Sequence, residues 1–125
     1  FMDIIISNSS GKPIYEQITY QIKSMILNGT LQEGEALPSM RLLARELRIS
    51  VITTKRAYED LERDGFIETV TGRGSFVAGK NLEFVREEHL RMTEEHLQQA
   101  AALAKSAGIS LEELTEMLGL LYESE

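Results

Sequence analysis

Residues 37–65 read LPSMRLLARELRISVITTKRAYEDLERDG, and this stretch decides the fold. Leu42, Leu43 and Leu47 recur at the spacing of one helix face. Ser39 stands just ahead of them, where its hydroxyl can accept from an orphan amide of the first turn. A short helix is therefore expected over 39–47. Arg48-Ile49-Ser50 leaves room only for a tight turn before a second serine cap at Ser50. The helix that follows is expected to run to about Asp64, burying Ala57, Tyr58 and Leu61, with Gly65 as its stop. Two short helices across so tight a turn make a helix-turn-helix.

Upstream, Ile14, Ile18, Ile22, Met25 and Ile26 mark the apolar face of an amphipathic helix from Pro13 to Asn28. Pro13 suits the first turn and Gly29 the C-terminal stop. Gly34 and Pro38 punctuate the loop between. Downstream the period shortens: Phe66–Val70 and Ser75–Val77 are rich in β-branched and aromatic residues, with Thr71-Gly72-Arg73-Gly74 between them. That pattern predicts a hairpin, to which Ile4–Ile6 is expected to add a third short strand. Three helices and a hairpin give a winged helix-turn-helix over residues 1–79.

The remainder, 80–125, reads differently. Leu82, Val85, His89, Met92 and His96 recur at steps of three and four, continued by Ala100, Leu103 and Ala107, among many glutamates. This predicts one long helix with an apolar seam. Gly108 breaks it, and Ser110 with Glu113 forms a capping-box pattern. The last helix carries Leu111, Leu114, Leu118 and Leu121 on one face. Neither helix can bury its seam on itself, so a second subunit is the expected partner. Leu82, Val85, Met92, Leu103, Leu114 and Leu118 are the expected dimerisation residues. The fold class is mostly α (α+β): a winged helix-turn-helix domain followed by a small two-helix dimerisation region.

Charge follows the same division. The net charge of −7 lies wholly in the tail, because residues 1–80 hold ten basic and ten acidic groups. Residues 81–125 hold three and ten. From Ser39 to Arg56 there are five basic side chains (Arg41, Arg45, Arg48, Lys55 and Arg56) against Glu46 alone. A local positive field is what docks on phosphates, whatever the total charge.

The ordered series Pro13-Ile14-Tyr15-Glu16-Gln17-Ile18, Gly29-x-Leu31-x-x-Gly34, Leu37-Pro38-Ser39-x-Arg41-x-Leu43-Ala44 carries a resemblance. Ile49-Ser50-x-x-Thr53, Ala57-Tyr58-x-x-Leu61-Glu62-x-x-Gly65-x-Ile67 and Gly72-x-Gly74-x-Phe76-Val77 continue it. The series resembles the GntR family of bacterial regulators over residues 13–77. The short two-helix tail is similar to the YtrA subfamily, since 45 residues cannot hold the large effector or aminotransferase-like domains of other subfamilies. The resemblance implies a sequence-specific transcription regulator, a repressor, acting as a homodimer on an inverted-repeat operator. It also implies that Arg41 touches the DNA backbone and that Ser50, Val51, Thr53 and Lys55 touch the major groove. Helix-turn-helix segments in general favour Gly or Asn at the turn where this chain has Arg48. A left-handed Arg costs about 1 kcal/mol more than Gly, and the same residue could serve as a phosphate contact.

The residues support a DNA interface independently. Arg41 and Arg45, four apart, share a helix face. Ser50, Thr53 and Thr54 place hydroxyls, and Lys55 and Arg56 charge, at a helix N-terminus whose dipole favours phosphate. For Ser50 and Thr53, capping alone is an equal reading. In the wing, Gly72 and Gly74 permit close backbone approach, and Arg73 can enter a minor groove; a plain turn with a solvent-facing arginine is the alternative. The expected DNA-binding set is Arg41, Arg45, Ser50, Val51, Thr53, Thr54, Lys55, Arg73 and Gly74.

Other classes find little support. There is no Walker loop, G-x-S-x-G or H-E-x-x-H, so no enzyme and no cofactor are expected. With no cysteine, disulfides and cysteine zinc sites are excluded. His89 and His96 lie two helical turns, about 10.5 Å, apart; packing is expected there rather than a metal. Ile4–Ile6 is too short for a signal peptide or membrane span, so a cytoplasmic location is expected, with Met2 as the natural start. A winged-helix protein interaction module without DNA binding is the alternative function, against which the basic 39–56 segment argues.

Overall fold

Ile18, Ile22 and Ile26 of the first helix are all at least 94% removed from solvent, and Ala57, Tyr58 and Leu61 of the third almost wholly so. Each such aliphatic side chain contributes about 1.5–3 kcal/mol through burial, so the packing of these two faces anchors the fold. The structure, a computed structural model, describes residues 2–79 and 82–124. Two compact units make up the chain, Phe1–Arg86 and Glu87–Glu125.

In the first unit the elements are α1 (Ile14–Leu27), α2 (Met40–Leu47), α3 (Val51–Arg63), β1 (Ile67–Val70) and β2 (Gly74–Val77). The strands pair antiparallel, Ile67 opposite Val77 and Val70 opposite Gly74. Leu31, Leu37, Leu43, Phe66, Ile67 and Val77 close the core around the α1–α3 contact. Tyr58 donates its hydroxyl to the Pro38 carbonyl at 2.7 Å, and burial pushes its phenol well above its ordinary pKa. At the far end of α3, Lys23 reaches Asp64 at 2.8 Å while lying 5.2 Å from the Phe66 ring centroid. Partial burial pushes Asp64 upward, but Lys23 and Arg63 together outweigh it and hold the carboxyl below its ordinary value.

Two expectations need correction. Ile4–Ile6 is not a strand. Ile4 enters the core, but the Ile5 backbone is met by a side chain: its N–H donates to Gln21 Oε1 at 2.9 Å and its carbonyl accepts from Nε2 at 2.7 Å. The third line of pairing comes from the loop before α2 instead. There Gly34 and Leu37 donate to Val77 and Ser75, and Val77 donates to Glu35, each at 2.9 Å.

The second correction concerns the boundary. It was expected between Gly79 and Lys80, and Lys80 itself, like Phe1, lies outside the described residues. The compact unit continues to Arg86, because Leu82 and Val85 pack against the winged-helix core.

α4 (Leu82–Ser106) and α5 (Leu111–Glu123) follow. Ser110 caps α5 by accepting from the Glu113 amide at 3.1 Å; its hydroxyl faces the Glu113 carboxylate at 3.3 Å, so half of the capping box forms. Among the described residues of the second unit only Ala104 is buried. Leu97, Ala100, Leu111, Leu114, Met117, Leu118 and Leu121 line an open apolar groove of about 310 Å³.

Candidate nucleic-acid interface

The interface is built by the turn between α2 and α3. Ser39 Oγ accepts from the Leu42 amide at 3.1 Å, and Ser50 Oγ from the Thr53 amide at 3.1 Å. Both serines therefore act as N-caps. Between them Arg48 adopts the left-handed conformation, with φ 58° and ψ 47°, as the tight turn demands. It is the sole non-glycine residue with positive φ among the described residues.

Of the expected contact residues, Arg41 and Arg45 project exposed from α2, and Ser50, Val51 and Lys55 are exposed at the start of α3. Thr53 is half-buried, its hydroxyl 3.0 Å from Ser50 Oγ. Arg73 is exposed at the wing tip, where its amide closes the turn on the Val70 carbonyl at 2.9 Å. Gly72 and Gly74 flank it at φ 80° and 109°, conformations that suit glycine alone.

Thr54 does not belong to this surface. It is fully buried, and its hydroxyl donates inward, 3.0 Å from the Met40 carbonyl and 2.9 Å from that of Val51. It ties α3 to α2 rather than facing a ligand. Its place in the series 54, 57, 58, 61 was the available signal, since those positions share one helix face.

Two features escaped the sequence reading. Arg56 is held against α1: its guanidinium carbon lies 3.8 Å from the Tyr15 ring centroid, and Nη2 donates to the Tyr15 hydroxyl at 3.1 Å. Ile52 is 79% exposed, the most exposed large apolar residue of the first unit.

The basic side chains are concentrated on this face. Among the described residues, Arg41, Arg45, Arg48 and Lys55 form no ion pair, whereas Lys23, Arg63 and Arg91 each hold a carboxylate. Basic side chains left unpaired around a helix N-terminus make a site for phosphate oxygens. Among the described residues no cluster of acidic or histidine side chains is arranged to hold a metal ion. His96 Nδ1 lies 2.7 Å from the Met92 carbonyl. No described helix is long and apolar enough to cross a membrane.

Residues 14–77, from the start of α1 to the end of β2, match the gntR family of bacterial regulatory proteins. The chain belongs to that family. The HTH-type transcriptional repressor YtrA of Bacillus subtilis is 39% identical over 115 residues, which span 92% of this chain and 88% of YtrA. A GntR family transcriptional regulator from Listeria monocytogenes superposes with a TM-score of 0.67 at 29% identity, over 94% of this chain and 99% of that one. AraR(DBD), solved in complex with operator ORX1, superposes with a TM-score of 0.55 at 26% identity, over 62% and 96%. This family member is thus a winged-helix, DNA-binding transcription regulator and not an enzyme.

Proposed function

We propose that this regulator is a homodimeric repressor that binds an inverted-repeat operator, α3 entering the major groove of each half-site. The observation that carries the DNA face is the set of unpaired basic side chains around the α2–α3 turn. The operator complex of AraR and the repressor name of YtrA support the same reading. Arg41, Arg45 and Lys55 meet phosphates, Ser50, Val51 and Thr53 lie toward the groove, and Arg73 and Gly74 approach the adjacent minor groove.

The tail makes the dimer. α5 has no buried residue. An exposed apolar groove marks an interaction site, and a second copy of the chain, the commonest partner of a soluble protein that oligomerises, is its proposed occupant. Met92, Leu103, Leu114 and Leu118 keep their expected role, joined by Leu97, Leu111, Met117 and Leu121. Leu82 and Val85 leave that set, since the winged-helix core occupies them. The reading is tested by a mobility shift on the DNA upstream of the gene at several salt concentrations, with sedimentation of the free protein. Salt-dependent, sequence-selective binding by a dimer is the expected result; a monomer, or binding indifferent to sequence, overturns it.

A further inference from the structure

In the first turn of the recognition helix each hydroxyl is engaged within the protein. Ser50 caps the helix, Thr53 Oγ1 faces Ser50, and Thr54 is buried against Met40. Beside the exposed Ser50, this turn presents aliphatic surface to solvent: Val51 at 44% and Ile52 at 79% exposure. Around this apolar centre stand the unpaired cations Arg48 and Lys55, with the positive end of the α3 dipole. A protein partner would leave those cations facing an apolar contact. A DNA groove, apolar at one point of its floor and rimmed by phosphates, complements both.

The apolar feature of a base edge in the major groove is the thymine 5-methyl group. Isoleucine can neither donate nor accept a hydrogen bond, so it cannot select among the other edge patterns. We propose that Ile52, with Val51 beside it, reads thymine methyls, and that each operator half-site carries thymine where the first turn of α3 enters. This rests on the DNA-binding reading above and deepens it by naming the base.

The test replaces thymine by uracil, which removes the methyl and leaves the pairing edge unchanged. A duplex is selected by binding to the full chain from a randomised pool, and its thymines are replaced one at a time. At one or two positions per half-site the affinity should fall about fourfold per methyl, the transfer cost of one buried carbon. Ile52→Ala, an exposed change whose folding is checked by circular dichroism, should discriminate thymine from uracil less than the wild-type chain at those positions. Uracil-insensitive binding by the wild-type chain, or full methyl discrimination by Ile52→Ala, overturns the inference while DNA binding stands. Failure to enrich any duplex overturns both.

Discussion

The two units of this chain carry apolar residues in comparable density and use them in opposite ways. Residues 2–79 converge theirs on one centre, with Ile18, Ile22, Ala57 and Leu61 wholly excluded from water. In the second unit Leu103, Leu111, Leu120 and Leu121 each expose more than two thirds of their surface. A helix with an apolar face and nothing to pack on is stabilised by association rather than by its own propensity. The first unit therefore has a core of its own; the second, on the dimeric reading proposed above, supplies half of an interface.

The strongest way to break that comparison is to separate the units. A chain ending at Arg86 should melt cooperatively, sediment as a monomer and bind the operator about 10²–10⁴-fold more weakly, having lost the linkage of two half-sites. Ending it at Gly79 instead should lower the melting temperature as well, because Leu82 and Val85 cover the core.

Next in size, Ile22→Ala should cost about 2–5 kcal/mol in denaturant unfolding. Leu121→Ala should leave that transition of the first unit in place and shift only the monomer–dimer equilibrium. Thr54→Val should cost about 0.5–1.5 kcal/mol by removing the hydrogen bond that ties α3 to the Met40 carbonyl, an effect read in the free protein. Lys55→Ala should leave stability unchanged and reduce the slope of log affinity against log salt by about one unit. The smallest effect is expected from Arg73→Ala. Its loss should be confined to operators with A·T-rich flanks, whose narrow minor groove attracts arginine; an equal loss on G·C-rich flanks would mark a phosphate contact.

Much of this was legible in the sequence. The three helices of the first unit, the hairpin and the tail helices follow from periodicity and caps, with ends within a residue or two of those expected. Arg48 takes the left-handed geometry that its place in the turn required. What failed was partner choice. Leu82 and Val85 carry the same spacing as the tail seam, and spacing cannot say which surface covers a residue. Ile4–Ile6 has β propensity but no free strand edge beside it, since Gln21 engages the Ile5 backbone and residues 34–37 take the edge of β2. Thr54 looked like a ligand contact because threonine is polar, and Ile52 was passed over because isoleucine is not. In both cases position on the helix outweighs residue type.

The bond from Thr54 to Met40, with that from Tyr58 to Pro38, fastens the recognition helix to the segment before and at the start of α2. The Tyr58 bond is buried and the Thr54 bond partly so, and together they hold the aim of α3 before DNA arrives. Any misfit between the protein and its target must then be absorbed by the duplex. Bending a site of this size costs about 1–6 kcal/mol and depends on the steps being bent. On the operator reading proposed above, base pairs that no side chain touches thereby acquire a say in which sites are bound.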